Sequence, residues 1–431
     1  MDRENQTGFL RNEIKRLRKS LEELSVLNEI ATAISSTLEL NEIIDLIVWK
    51  CIKHLDTEQA AVMLLDEKTP DKPLQTMIRK ADKQTNRFIP FRLNSQITGW
   101  ILKNKKPLLV NDIRTDEKFK WSLSDSSMIK SVLSVPLLHK GEVIGIISAF
   151  NKKNENNFTE EDKRLLSIIA AQSSQTIVNA RLLEEEKKLL QLEQELKTAA
   201  EIQVNILPKE IPEIPGYDIA AINIPAREVG GDYYDFIQKE NRIVFCLGDI
   251  TGKGIPAALL MANLQATFRS QVKIHSTVKD ITTSCNTLLK NSTEIDKYAT
   301  FFAGILDYKN HKITYCNAGH NEPVKVSVNG ETVRLSKGGI VLGIMNGIMY
   351  EEDTIQIETG DILVVYSDGI TETMNSQGAE FGENRLLQTI IDYRNLTAAG
   401  LLEKIIKETE TFSGQELQSD DKTLLIIRRV K

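Results

Sequence analysis

Four short acidic stretches in the C-terminal half of the chain carry the residue types most capable of chemistry. They are Glu228-Val-Gly-Gly-Asp232-Tyr-Tyr-Asp235, Gly248-Asp249-Ile-Thr-Gly252-Lys-Gly254, Ser367-Asp368-Gly369 and Ser419-Asp420-Asp421-Lys-Thr423. In the last three, the aspartates flank apolar runs that read as strands: Ile243 to Leu247, Ile362 to Tyr366 and Leu424 to Ile427. Strand ends converging on one rim would gather several carboxylates in a small space. Like charges that close cannot all stay ionised unless a cation compensates them. Carboxylates, with a backbone carbonyl and water, are the hard oxygen ligands that suit Mg²⁺ and Mn²⁺. Taken singly, each aspartate reads equally well as a helix cap or turn residue. Together they predict a metal site holding more than one ion.

The elements that would position this site follow from the pattern between 217 and 431. Strand-like runs occur at Ile219 to Ile224, Ile243 to Leu247, Ala299 to Leu306, Ile313 to Cys316, Val333 to Leu335, Ile362 to Tyr366 and Leu424 to Ile427. Helical periodicity interrupts them at 256–273, 278–291, 384–393 and 397–411. Strands in excess, with helices grouped between them, predict two sheets packed face to face and flanked by helices.

Upstream, residues 26–180 alternate helix and strand. Helices are expected at 38–55, 95–104 and 159–182, the last begun by Thr159-Glu-Glu-Asp, an N-cap followed by acidic first-turn residues. Strands are expected at Ala60 to Leu65, Phe88 to Leu93, Val132 to Leu138 and Val143 to Phe150, with His139-Lys-Gly141 turning the last pair into a hairpin. Two heptad stripes bracket this region. The first is Leu10, Ile14, Leu17, Leu21 and Leu24; the second runs through Val178, Leu182, Leu189, Leu192, Leu196, Ala199 and Ile206. Each reads either as an amphipathic helix packed on its own domain or as a parallel pairing seam. The second has little else to pack on, so it predicts a dimer. Pro208, Pro212 and Pro215 then end the helix and mark a boundary.

With 431 residues the chain can hold two or three domains. A hydrophobic content of 41% beside 26% charge is that of a soluble globular protein. The net charge of −6, with no long basic run, argues against nucleic acid as the main partner. No run of 18 or more apolar residues and no signal-peptide core occurs, so no membrane association is expected and the cytoplasm is the expected location. Cys51, Cys246, Cys285 and Cys316 show neither metal-ligand nor disulfide spacing and read as buried reduced thiols. Cys51 and His54 share a helix at i, i+3, but core and surface roles account for them.

Two resemblances can be read on particular residues. Ile97-Thr-Gly99-Trp100, Pro107-Leu-Leu-Val-Asn-Asp112, Ser134-Val-Pro136-Leu137 and Gly145-Ile-Ile resemble the GAF domain, a small-molecule sensing α/β module, over roughly 150 residues. Six motifs in order resemble the bacterial serine/threonine phosphatases of the protein phosphatase 2C type, in the branch that controls sporulation and stress sigma factors. They are Glu228 to Phe236, Gly248 to Ala258, Thr300 to Ile305, Asn317-Ala-Gly-His320, Tyr366 to Glu372 and Asp420 to Leu424. The resemblance implies two Mn²⁺ or Mg²⁺ ions. Asp249 would bridge them, the Ile250 carbonyl would complete one coordination sphere, and Asp368 and Asp420 would hold the second ion. Asp232 would order bound water or bind a metal directly. Glu228, Asp235 and Asp421 are candidates for hydrogen-bonding behind these ligands, with a solvated surface the equal alternative for Glu228 and Asp235. Eukaryotic relatives have Asn at the position of Asp421.

Two departures bear on mechanism. Eukaryotic relatives place a histidine, often given the general-acid role, where this chain has Thr251; His320, the only histidine in a family motif, reads as a turn residue. No arginine is assigned by motif as a phosphate clamp, Arg227 being the nearest candidate. The expected protein is an α+β multidomain chain: an N-terminal helix at 1–25, an α/β GAF sensor at 26–180, a coiled-coil linker at 181–216 and an αββα sandwich phosphatase at 217–431. Its expected substrate is a phosphorylated anti-anti-sigma-type protein, its expected assembly a homodimer, and its expected signal a small molecule or protein at the GAF domain. The alternatives are a catalytically weak scaffold of the same fold and a two-metal phosphatase of small phosphate esters.

Overall fold

The computed structural model describes residues 39–65, 74–81, 95–119, 129–293 and 297–431, together with Glu13. The stripe at 10–24 and the strand expected at 88–93 lie outside the described residues. The chain divides into two compact units, Met1–Leu190 and Gln191–Lys431.

In the first unit, helix α1 (Leu40–Leu55) opens where the Glu42 side chain accepts a hydrogen bond from the Glu39 amide, and closes at Asp56 in the left-handed conformation. Strands β1 (Thr57–Leu65), β2 (Leu74–Ala81), β3 (Leu108–Val110), β4 (Val132–His139) and β5 (Glu142–Lys152) form one antiparallel sheet in the order β2-β1-β5-β4-β3. Alternation along β1 divides its side chains between two cores. Ala60, Val62 and Leu64 pack with Ile44, Ile47 and Leu55 of α1, while Ala61 and Met63 pack with Ile97 and Ile101 of helix α2 (Ser95–Asn104). Cys51 is wholly buried in the first of these cores, which pushes its thiol up to about 12 and makes it a packing residue. β2 and β3 have no counterpart in the sequence reading.

Residues Glu160–Ile206 form one helix, α3, rather than the shorter helix expected to stop at 182. Thr159 and Asp162 cap its start reciprocally: the Asp162 carboxylate accepts from the Thr159 amide at 2.8 Å, and Thr159 Oγ1 accepts from the Asp162 amide at 3.2 Å. Leu166, Ile169, Ala170 and Ile177 pack into the sensor core. Further along, Leu182, Leu183, Leu189, Leu190 and Leu192 are exposed. Among the described residues no helix is long and apolar enough to cross a membrane, and all four cysteines are buried and unpaired.

The second unit runs β6 (Tyr217–Ile224), β7 (Tyr233–Lys239), β8 (Arg242–Ile250), α4 (Ile255–Ile274), α5 (Val278–Ser292), β9 (Ala299–Asp307), β10 (Lys312–Ala318), β11 (Val324–Val326), β12 (Thr332–Arg334), β13 (Gly338–Gly339), β14 (Asp353–Gln356), β15 (Ile362–Tyr366), α6 (Asp368–Thr371), α7 (Gly382–Asp392), α8 (Ala398–Ser413) and β16 (Lys422–Arg429). One sheet has the order β13-β10-β9-β8-β7, with β14 also on β10; the other has β12-β11-β15-β16-β6. Phe245, Leu247, Phe302 and Leu306 of the first meet Leu363, Val365, Leu425 and Ile427 of the second in a shared apolar layer. The alternate residues point outward. Val244, Cys246, Phe301 and Ala303 pack beneath α4 and α5, while Val364, Tyr366, Leu424 and Ile426 pack beneath α7 and α8. The result is the helix–sheet–sheet–helix sandwich that the strand pattern predicts.

Candidate metal centre at the strand ends

Each sheet delivers carboxylates to one rim. In the first, Asp249 lies in the last turn of pleat on β8, opposite Thr300 of β9. Asp232 directly precedes β7, one step beyond the Tyr233–Gly248 pair, which sets it beside Asp249. In the second, Asp368 follows β15 and Asp420 and Asp421 precede β16, two strands paired through Tyr366 and Leu424. The Ser367 amide donates to the Thr423 carbonyl at 3.0 Å, and Ser367 Oγ donates to the Asp421 carbonyl at 3.1 Å, so the two acidic turns are tied together.

The electrostatics follow from this crowding. Asp232 is only 2% exposed, and burial, then the Asp249 charge, pushes its carboxyl well above the usual range. Thr423 Oγ1 opposes this by donating to Asp232 Oδ2 at 2.5 Å while accepting from Asn223 Nδ2 at 2.8 Å. Asp249 is pushed up to about 7, again by burial first and then by Asp368, Asp420 and Asp421. Asp368 is raised by burial and by Asp420. Glu372, which the sequence reading quoted within a motif without a role, is raised by burial and by Asp368.

The donors are hard, anionic and mutually repelling, which suits a divalent cation of the Mg²⁺ or Mn²⁺ type. Among the described residues no three His, Cys, Asp or Glu side chains are already closed on a common point. Mg²⁺ usually keeps several waters and takes one or two carboxylates.

A second set of contacts holds the loop that carries Asp232. Asp421 Oδ1 accepts from the Ala226 amide at 2.7 Å, and Oδ2 accepts from Gly231 at 2.6 Å and Asp232 at 3.3 Å. Gln203, near the end of α3, grips the preceding residue from both sides: its Nε2 donates to the Gly230 carbonyl at 2.7 Å, and its Oε1 accepts from the Gly230 amide at 2.9 Å. A Cβ on Gly231 would stand 2.9 Å from the Ile250 carbonyl oxygen, so a side chain there would push the loop off that oxygen.

The remaining predicted residues have other places. Asp235 is fully buried, which removes the solvated-surface alternative. It takes Arg269 of α4 through Nε at 2.6 Å and Nη2 at 3.1 Å, and Tyr233 Oη at 2.5 Å, so it braces β7 against the helix directly behind Asp232. Glu228 and Arg227 are exposed. Thr251 Oγ1 donates to the Tyr298 carbonyl at 3.0 Å and accepts from the Tyr298 amide at 3.1 Å. His320 is buried, its Nδ1 sits 2.8 Å from Thr300 Oγ1, and burial lowers it to about 4. Asn317 closes that turn, accepting from the His320 amide at 2.7 Å and donating to its carbonyl at 3.0 Å.

Comparison with known proteins adds sequence and fold relatives. A family profile for stage II sporulation protein E (SpoIIE) matches residues 239–430, and one for the GAF domain matches residues 37–178. Phosphoserine phosphatase RsbU of Bacillus subtilis is 31% identical over 241 residues, which cover 56% of this chain and 71% of that protein. Phosphoserine phosphatase RsbP of the same organism is 24% identical over 243 residues, covering 55% of this chain and 58% of that protein. The chain thus spans under two thirds of the second relative's length. Among solved structures, the SiaA-PP2C domain of Pseudomonas aeruginosa overlays 56% of this chain and 98% of its own with a TM-score of 0.51 at 18% identity, a likeness of fold.

Proposed function

The chain belongs to the SpoIIE-type serine phosphatase family and joins that domain to a GAF domain, and from this premise we propose that it is a sensor-regulated, metal-dependent protein phosphatase. It hydrolyses phosphoserine or phosphothreonine on a regulatory protein, of which a phosphorylated anti-anti-sigma-type protein is the favoured example. The observation that carries the reading is the convergence of Asp232, Asp249, Asp368 and Asp420 on one rim from two different sheets.

Two Mn²⁺ or Mg²⁺ ions held by these carboxylates and the Ile250 carbonyl would supply activation of water and charge compensation of the phosphate. The chain's own groups position. Asp421 and Gln203 fix the Asp232 loop, and the buried Asp235–Arg269 pair fixes the strand behind it. In the hydrolysis a water oxygen bonds to phosphorus, the bond from phosphorus to the substrate oxygen breaks, and that oxygen takes up a proton. Thr251 is committed to Tyr298, and His320 is neutral near pH 7 and buried against Thr300, so neither donates that proton and water does.

The exposed leucines of α3 support pairing of two copies as a dimer, and the same helix carries Gln203, which offers a route from sensor to site. The test is a metal titration of the full chain with a phosphorylated anti-anti-sigma-type protein set against a panel of small esters. Activity should need Mn²⁺ or Mg²⁺, favour the phosphoprotein, and fall by orders of magnitude in Asp249→Asn with the fold kept. Undiminished turnover in excess chelator, or in that variant, would sink the reading.

A further inference from the structure

We propose that Lys253 is a phosphate-binding residue, its ammonium taking an oxygen of the substrate's phosphate at the edge of the carboxylate group. The inference rests on the phosphatase reading of the site and adds a cation where no arginine is assigned as a phosphate clamp. Lys253 stands on the turn between Asp249 and α4, between Gly252 at φ +97° and Gly254 at φ +73°. Backbone of that kind is strained for residues with a Cβ. The turn therefore holds one long cationic side chain out beside the aspartates.

An ammonium carries three N–H donors. In Lys253 one serves the Ser419 carbonyl at 2.5 Å and one serves Asp420 Oδ2 at 2.8 Å. Neither contact uses the third, and the side chain is 40% exposed, so an incoming anion can reach it. Lys253 is thus anchored to one acidic residue of the rim and to the turn that carries it. The arginines give no equivalent. Arg269 is spent on Asp235, on the strand behind the site, and Arg227 is exposed.

The bland alternative is that Lys253 only neutralises Asp420. The two differ in what they predict for anion and metal. A counter-ion acts on the affinity of the carboxylates for a cation; a phosphate ligand acts on the affinity of the loaded site for an anion. A lysine serves phosphate as a point charge, a role arginine can replace in charge if not in shape.

The experiment uses the full chain with Mn²⁺, its Lys253→Met and Lys253→Arg variants, inorganic phosphate as inhibitor of phosphoprotein hydrolysis, and calorimetric Mn²⁺ titration without substrate. The inhibition constant of phosphate should rise about tenfold or more in Lys253→Met, recover most of that in Lys253→Arg, and change by more than the Mn²⁺ affinity does. A phosphate inhibition constant within twofold of the parent's in Lys253→Met, in an active enzyme, overturns this inference alone. Absence of any hydrolysis by the parent chain with Mn²⁺ overturns the phosphatase reading and this inference with it.

Discussion

Replacing Gln203 with Met should weaken metal binding at a residue that touches no metal ligand. The side chain is similar in length, but both of its polar contacts with Gly230 vanish, the donor at 2.7 Å and the acceptor at 2.9 Å. Gly230 is buried, so its amide and carbonyl lose their partners without water in exchange. Two neutral hydrogen bonds are worth about 1–3 kcal/mol together. The loop from Ala226 to Asp232 would then be held by Asp421 and, at Asp232 itself, by Thr423 and Asn223. If all of that loss fell on the geometry of Asp232, Mn²⁺ affinity would drop by about 5- to 150-fold, since 1.4 kcal/mol is a factor of ten. Gln203→Glu should fall on the same side, because it keeps the acceptor but sets a carboxylate against the Gly230 carbonyl. The assay is calorimetric Mn²⁺ titration of the full chain, paired with hydrogen exchange at the Gly231 and Asp232 amides, which should speed up. Mn²⁺ affinity within twofold of the parent's, with unchanged exchange at those amides, would refute the idea that α3 holds the site through this side chain.

Asp421→Ala removes the acceptor of three amides at once, and at about 1–3 kcal/mol per orphaned group it should cost 3 kcal/mol or more of stability, read as a lower denaturation midpoint. Leu192→Asp with Leu196→Asp should convert a dimer to monomers in light scattering, because charges cannot be buried in a paired-helix seam; a persisting dimer would place the contact elsewhere. His320 is held neutral by burial, its value lowered to about 4 against about 6.5 when unfolded. Between these values the unfolded chain binds the extra proton, so this residue makes stability fall as pH falls from 6.5 to 4. The loss is about 3 kcal/mol at most, at 1.36 kcal/mol per unit. The difference in stability between parent and His320→Gln should shrink over that window, and a difference independent of pH would refute the assignment.

Local pattern made the carboxylates legible. Asp249, Asp368 and Asp420 were placed because each ends or begins a run such as Ile362 to Tyr366, whose bounds the structure reproduces. β7 was missed because Asp235 interrupts its apolar pattern, and that aspartate is tolerated inside the sandwich only because Arg269 and Tyr233 complete it. The sequence reading divides α3 into a sensor helix and a separate stripe because a heptad spacing of its own begins at Val178. Periodicity reports which faces are apolar and does not show that two adjoining stripes share one continuous helix. The supporting role of Gln203 is out of reach for another reason, whereas that of Asp421 is named among the candidates behind the ligands. The partner of Gln203 lies 27 residues away, and no spacing rule connects a helix glutamine to a glycine loop.

The position of β16 has a consequence for how the protein is made. The last strand of the unit, it enters between β15 and β6 and so pairs with the first. Asp421, 189 residues downstream of Asp232, closes the loop that holds it. At roughly 5–20 residues per second a ribosome needs about 10–40 s to pass from one to the other. Through that interval the nascent chain carries Asp232 and Asp249 without the turn that completes their rim, while the upstream sensor can already fold. Pairing across such a separation is also slow to nucleate. The site is therefore one of the last things the chain acquires. A translation product stalled or cleaved before Lys422 would expose the unpaired edges of β15 and β6, a mark of incompleteness open to chaperones and proteases.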